Sequence, residues 1–176
     1  FLAEGRDGIG PAPADRWVAE DFQTDFAGEP GKIINNVGGF LENLDQFDAS
    51  FFNITPKEAA TMDPQQRLLL EGSWEAMTNA GVAPDDWSGK PVGVFVGISG
   101  QDYSRRLMEQ PREAIDAYLA TGNSHSVAAG RLSYTFGFTG PSFAIDTACS
   151  SSLVAVHQAC QSLRANECEA AIAAGV

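Results

Sequence analysis

The sequence predicts a layered α/β fold, and three observations carry that prediction. The run Val92 to Val96 (VGVFV) is apolar and β-rich with little alternation, the mark of a strand covered on both faces. Around and after it, strand-like and helix-like segments alternate as strand, helix, strand, helix, strand, the order of layered α/β domains. The chain has 176 residues, 44% hydrophobic and 19% charged, which suits a globular domain able to bury a core. At roughly 150 residues per domain, length predicts one domain.

Taken in order, residues 1 to 46 are rich in Gly, Pro, Asp and Asn and read as loops with short elements. Trp17, Phe22, Phe26 and Phe40 are their expected anchors, since a mere linker has no need of buried aromatics. Phe47, Phe51, Phe52 and Ile54 follow as apolar anchors, and a short helix is expected from Pro56. The clearest helix comes next. Asp63 is its N-cap, Pro64 its first residue, and Gln66 completes a capping-box pattern. Leu70, Trp74 and Met77 share one face, read as core packing. Gly81 is the left-handed stop, with Val82 placed for the hydrophobic contact that follows such a stop. Ser88-Gly89-Lys90 punctuates the chain before the strand at Val92. Residues 102 to 120 are predicted helical with a break at Pro111, and 123 to 136 helical with an interruption at Gly130. Gly137 to Pro141 is a turn, Ser142 to Asp146 a short strand, Cys149 to Leu163 a helix and Ala170 to Val176 a further strand. There are no repeats and no low-complexity segment.

The formal charge is −12, from 23 acids and 11 bases. Nucleic acid is therefore not an expected partner, because phosphate binding needs a surplus of Lys and Arg, and an anionic membrane surface is disfavoured likewise. A local basic patch for an acidic protein remains open, with Arg105, Arg106, Arg112, Arg131 and Arg164 as its candidates. No apolar run approaches 18 residues, so no membrane span is expected, and no secretion leader is visible. The chain starts at Phe1 and ends in an apolar run, and reads as an internal piece of something larger. The three cysteines are Cys149, Cys160 and Cys168. An odd count without CxxC spacing fits neither a disulfide framework nor a zinc site, and no metal is expected. A cytoplasmic, reducing home is the simplest. VGVFVGISG lacks the spacing of a phosphate-cradling loop.

Asp146-Thr147-Ala148-Cys149-Ser150-Ser151-Ser152 joins the predicted strand to the predicted helix and puts Cys149 at or next to a helix N-terminus. Unpaired N–H groups and the positive dipole end meet there. Such a place favours the thiolate, the nucleophilic form, and can help hold an oxyanion. Ala148, Ser150 and Ser151 leave room for an acyl group. The following helix is apolar on nearly every side, through Leu153, Val154, Ala155, Val156, Ala159, Cys160 and Leu163. It is expected to be buried at the centre of a domain, a rigid mount for a catalytic group. On placement alone, a buried structural cysteine and a general cysteine hydrolase stay open. A hydrolase needs a base, and the only histidines are His125 and His157. His157 is read as a hydrogen-bonded core residue, His125 as structural, and Cys160 and Cys168 as inert packing residues.

DTACSSSLVAVHQAC closely resembles the nucleophile segment of the ketosynthase (β-ketoacyl synthase) domains of type I polyketide synthases. FDASFFNITPKEAATMDPQQRLLLEGSWEAM, GVFVGISGQDYS and the stretch TGN…SVAAGRLSYTFGFTGPS resemble further signatures of that family, so the likeness covers residues 1 to 176. MDPQQRLLLE is more typical of multidomain synthases than of free-standing fatty-acid condensing enzymes. The resemblance implies a thiolase-like layered α/β/α fold of two similar halves working as a homodimer. This chain would be the N-terminal half, 1–176, without the family's first strand and without its C-terminal half. The SFAID strand would pair with its copy at the twofold axis, and the piece alone would behave poorly.

The implied chemistry makes Cys149 the catalytic nucleophile. It takes an acyl group from the phosphopantetheine arm of an acyl carrier protein; no cofactor is bound directly. A malonyl-type extender, supplied through an acyltransferase domain, then loses CO2, and its carbanion attacks the Cys149 thioester. The family's two histidines for that stage lie in second-half motifs that this chain lacks, and His125 and His157 do not match them. The chain alone is therefore expected to be acylated at most. A non-elongating ketosynthase that only binds and passes acyl chains also fits. A chain-length-factor-like protein and a loading variant with Gln are disfavoured by Cys149 itself, and a thiolase by the DPQQR stretch.

Overall fold

A computed structural model describes the backbone of residues 1–176 and the side chains of all but residue 114. The backbone clusters into two compact units, Phe1–Gln46 and Phe47–Val176. In the first, strands β1 (Gly10–Pro11) and β2 (Val37–Gly38) pair antiparallel, and a single-turn helix α1 (Ala19–Phe22) lies between them in sequence. Of the four aromatics expected to anchor this unit, Trp17 and Phe40 meet edge to face at 5.5 Å. Phe22 and Phe26 stay exposed. With so few regular elements in this unit, little buried space is made for them.

The second unit contains the layered fold. Helix α2 (Pro56–Thr61) starts at Pro56, with the Thr55 hydroxyl accepting from the Glu58 N–H at 3.2 Å. Helix α3 (Pro64–Asn79) is capped by Asp63, whose carboxylate accepts from the Gln65 N–H at 2.9 Å. It ends where Gly81 turns left-handed (φ +73°), with Gly81 N–H bonded to Thr78 O and Val82 N–H to Met77 O. The expected capping box is not completed by Gln66. That side chain is buried and donates to the carbonyls of Thr121 and Ser124, while its oxygen accepts from Arg131 at 2.8 Å. Tertiary acceptors outcompete the local one here, and Gln65 reaches back to Asp63 instead. Arg131 also pairs with Glu58, so one arginine ties α2 to the start of α3.

Strand β3 (Val92–Gly97) is buried along its whole length, as the unbroken apolar run predicts. Helices α4 (Asp102–Met108), α5 (Tyr118–Asn123) and α6 (His125–Phe136) follow, with the break near Pro111. Gly130 does not interrupt α6; a side chain there would meet nothing, so the position only lowers helix propensity. Strand β4 (Ser142–Ile145), helix α7 (Ser151–Arg164) and strand β5 (Ala170–Gly175) complete the unit. The sheet is parallel, in the order β4-β3-β5. Alternation along β3 divides the core. Val92, Val94 and Val96 pack with Met62, Leu69, Leu70, Met77, Leu132 and Phe136 from α3, α6 and the α2–α3 junction. Phe95 points the other way, onto Ala155 and Ala159 of α7. Helices thus cover both faces of the sheet, the predicted layered α/β arrangement.

Helix α7 departs from expectation. Only Ser151, Ala155, Ala159 and Ser162 are buried, while Leu153 is 74% and Val156 47% exposed. The sheet covers one stripe of this helix, and among the described residues no element covers the opposite apolar stripe. No helix among the described residues is long and apolar enough to cross a membrane.

Candidate active site

Strand β4 and helix α7 are joined by a turn that carries Cys149, whose thiol is exposed. Its immediate predecessor, Ala148, has φ +54°, in the left-handed region that costs a residue with a Cβ about 1–2 kcal/mol. A dense set of short hydrogen bonds offsets that cost. The Asp146 carboxylate accepts from the Ala148 N–H at 3.0 Å. The Ser151 hydroxyl accepts from the Thr147 N–H at 2.9 Å and donates to the Ala148 carbonyl at 2.7 Å. The Ser150 hydroxyl lies 2.9 Å from both the carbonyl and the hydroxyl oxygen of Thr147. Serine and aspartate suit this work because their short polar side chains bond nearby backbone. The result is a tight turn that presents Cys149 one residue ahead of the N-cap, Ser150.

The helix therefore begins at Ser151, two residues later than the sequence suggests, because the left-handed Ala148 turns the chain out of helical geometry just ahead of Cys149. Cys149 still stands next to the first-turn N–H groups, which have no partner within a helix. Those donors and the positive dipole end can favour a developing oxyanion.

The other sequence candidates fall elsewhere. His157 lies on the exposed side of α7, not in the core as expected, because its stripe of α7 is left uncovered among the described residues. His125 opens α6, and its Nε2 is 2.9 Å from the Gly100 carbonyl, which can only accept, so that nitrogen carries the proton. Gln65 donates to the same carbonyl at 3.2 Å. His125 thus pins the loop after β3, the structural role expected of it. Cys168 is buried, as a packing residue should be, whereas Cys160 is exposed on α7. Among the described residues, no group of three or more His, Cys, Asp or Glu is arranged to hold a metal.

Sequence reading singles out Cys149 but not the residues that shape its turn. Ser151 reads as a small spacer and is in fact the hub of the turn. Gly97 and Gly175, which the sequence does not single out, both abut the first turn of α7. A cavity of about 660 Å³, lined by Phe51, Trp74, Phe136, Glu58 and Arg131 among others, includes no residue of the Cys149 turn.

Comparison with known proteins identifies the family and the fold. The family model described as "Beta-ketoacyl synthase, N-terminal domain" matches residues 1–176. The chain is 51% identical over 176 residues to a phenolphthiocerol/phthiocerol polyketide synthase protein of Mycobacterium tuberculosis, covering all of this chain and 11% of that protein. Polyketide synthase GfsA of Streptomyces halstedii is also 51% identical, with 2% of its length covered. Among solved structures, an oxazolomycin ketosynthase domain from Streptomyces albus superposes with a TM-score of 0.88 at 40% identity, over 98% of this chain and 30% of that one. The ketosynthase from module 6 of the bacillaene synthase of Bacillus subtilis 168 gives a TM-score of 0.83 at 35% identity, over 99% of this chain and 27% of its own. The chain thus spans less than a third of each solved ketosynthase and a far smaller share of each synthase.

Proposed function

We propose that this chain, which belongs to the β-ketoacyl synthase family and matches its N-terminal domain, supplies the acyl-accepting nucleophile of a polyketide synthase condensing domain, and that Cys149 is that nucleophile. The observation that carries the reading is the exposed thiol on a strained, hydrogen-bonded turn between a strand end and a helix N-terminus, within a DTACSSS segment. The Cys149 thiolate attacks the thioester carbonyl of an acyl group held on the phosphopantetheine arm of an acyl carrier protein. The tetrahedral oxyanion collapses, the carrier thiolate leaves and takes up a proton, and Cys149 keeps the acyl group. In condensation, a malonyl-type extender on a carrier loses CO2. Its carbanion attacks the Cys149 thioester, a carbon–carbon bond forms and the Cys149 thiolate departs. The proton-handling groups of that stage belong to the remainder of the domain. A non-elongating domain shares the loading step and differs only in that remainder.

The partners follow from the same reading. The acyl carrier protein delivers acyl groups and an acyltransferase domain charges it. Strand β4 is an edge of the sheet, with Ser142 and Phe143 exposed, which supports pairing with a second copy in a homodimer. The uncovered stripe at Leu153 and Val156 supports burial of α7 by the rest of the condensing domain. Free thiols fit a cytoplasmic setting.

The test is loading of the complete condensing domain from an acyl N-acetylcysteamine thioester, read by mass spectrometry. Cys149→Ala is expected to abolish the acyl adduct, and Cys160→Ala to leave it. An adduct that survives Cys149→Ala and disappears with Cys160→Ala would overturn the assignment.

A further inference from the structure

The sheet face beneath α7 contains a notch that nothing in the chemistry above uses. Gly97 and Gly175 end β3 and β5 and are direct register partners across the parallel ladder. Both lie against the first turn of α7. A Cβ built on Gly97 would come within 2.6 Å of the Ser151 carbonyl carbon and the Ser152 nitrogen, and 2.9 Å of the Ser151 oxygen. These are backbone atoms and cannot swing aside. A Cβ on Gly175 would collide with the Ser152 Cβ. Glycine is required at both places for close approach, not for unusual dihedrals.

Ser151 is also the residue through which the turn is held, by its bonds to Thr147 and Ala148. The height of Ser151 above the sheet is therefore transmitted directly to the turn that presents Cys149. We infer that Gly97 and Gly175 are positioning residues for the nucleophile: the paired glycines let the first turn of α7 sit on the sheet and so set where the Cys149 thiol stands. This rests on the reading of Cys149 as the acyl-accepting group. Displacement of a reacting atom by about 1 Å can cost on the order of 100-fold in rate, and a methyl group wedged into this notch is a displacement of that kind.

Two other glycines provide controls. A Cβ on Gly140 would come within 2.6 Å of the backbone of Val92, at the opposite end of β3, so Gly140→Ala is as crowded but remote from the nucleophile. A Cβ on Gly72 would meet nothing. Cys168 is buried and reports unfolding, because its thiol reacts only when the core opens.

The experiment uses the complete condensing domain and measures two reactions at Cys149, acylation by an acyl N-acetylcysteamine thioester and alkylation by iodoacetamide, each resolved by peptide mass spectrometry. With Cys168 still protected, Gly97→Ala is expected to slow acylation roughly 10- to 100-fold, in the rate constant rather than in the affinity for the thioester. Gly140→Ala is expected to lower the melting temperature while leaving acylation within about twofold, and Gly72→Ala to match the parent in both. Should Gly97→Ala fail to fold, the pair Gly175→Ala and Gly175→Ala/Ser152→Gly decides. The single change is expected to slow acylation, and the double change, which removes the colliding atom, to restore it. A folded Gly97→Ala that acylates at the parent rate overturns the inference. So does a Gly140→Ala that loses as much, or a Gly175→Ala loss that Ser152→Gly does not relieve. Alkylation does not depend on acyl transfer. If it changes in Gly97→Ala while acyl loading survives Cys149→Ala, the notch stands and the assignment of the nucleophile falls.

Discussion

The two faces of the central sheet are built from different materials. Toward α3 and α6, β3 presents Val92, Val94 and Val96, met by Leu69, Leu70, Met77, Leu132 and Phe136. Toward α7 it presents Gly93, Phe95 and Gly97, and α7 answers with Ser151, Ala155, Ala159 and Ser162. The first face is thick with branched and aromatic side chains, the material that supplies stability by burial. The second is thin, so that a helix can approach the strands closely at its N-terminal end. Phe95 is the single large side chain on that face of β3, and Gly93 is what makes room for its ring: a Cβ there would come within 2.6 Å of it. On the inference drawn above, one face keeps the domain folded and the other sets where the Cys149 thiol stands.

That division can be broken from either side. The largest stability effect is expected on the thick face. Leu132 is fully buried, and Leu132→Ala should cost about 2–5 kcal/mol in chemical denaturation of the complete domain. Loading of Cys149 should persist in the fraction that stays folded. Ala155 is fully buried on the thin face, and Ala155→Leu should cost less, about 1–3 kcal/mol by overpacking, yet slow Cys149 loading more. Equal loading rates in the two variants, compared below both melting temperatures, would erase the contrast.

The smallest effect belongs to the outer side of α3. Burial holds the Glu71 carboxyl above its ordinary value, and the negative charges of Glu75 and Asp48 push the same way, against a backbone hydrogen bond at Asp48. A raised acid binds its proton more tightly folded than unfolded. Its contribution is favourable below the unfolded value of about 4.3 and is lost as pH rises through the folded one. Glu71→Gln should therefore raise the melting temperature slightly at pH 7. The gain should vanish near pH 3, where both states are protonated. A gain that persists unchanged at pH 3 would assign it to packing instead of charge.

Local signals are legible in the sequence, and shared ones are not. The cap of α3 and its left-handed stop depend on neighbours a few residues away, and both are found where the pattern puts them. Strand β3 is readable because burial on two faces removes alternation. Gln66 is not, because whether its amide turns back to Asp63 or inward to Thr121 and Ser124 depends on segments more than 50 residues away. The apolar composition of α7 suggests burial all round. Composition says what a helix can bury, but only the neighbours present decide what it does bury.

The order of elements and the helix punctuation are written in the chain itself, since propensity and capping are properties of adjacent residues. The tertiary structure decided the rest: which face of the sheet is thick, the strained φ of Ala148, and the meeting of Gly97 and Gly175 beneath Ser151. Those glycines lie 78 residues apart in numbering (175 − 97) and become neighbours only when β3 and β5 pair in register. A requirement for empty space leaves no chemical mark on a sequence, and it is visible only once the atoms that would fill that space are in position.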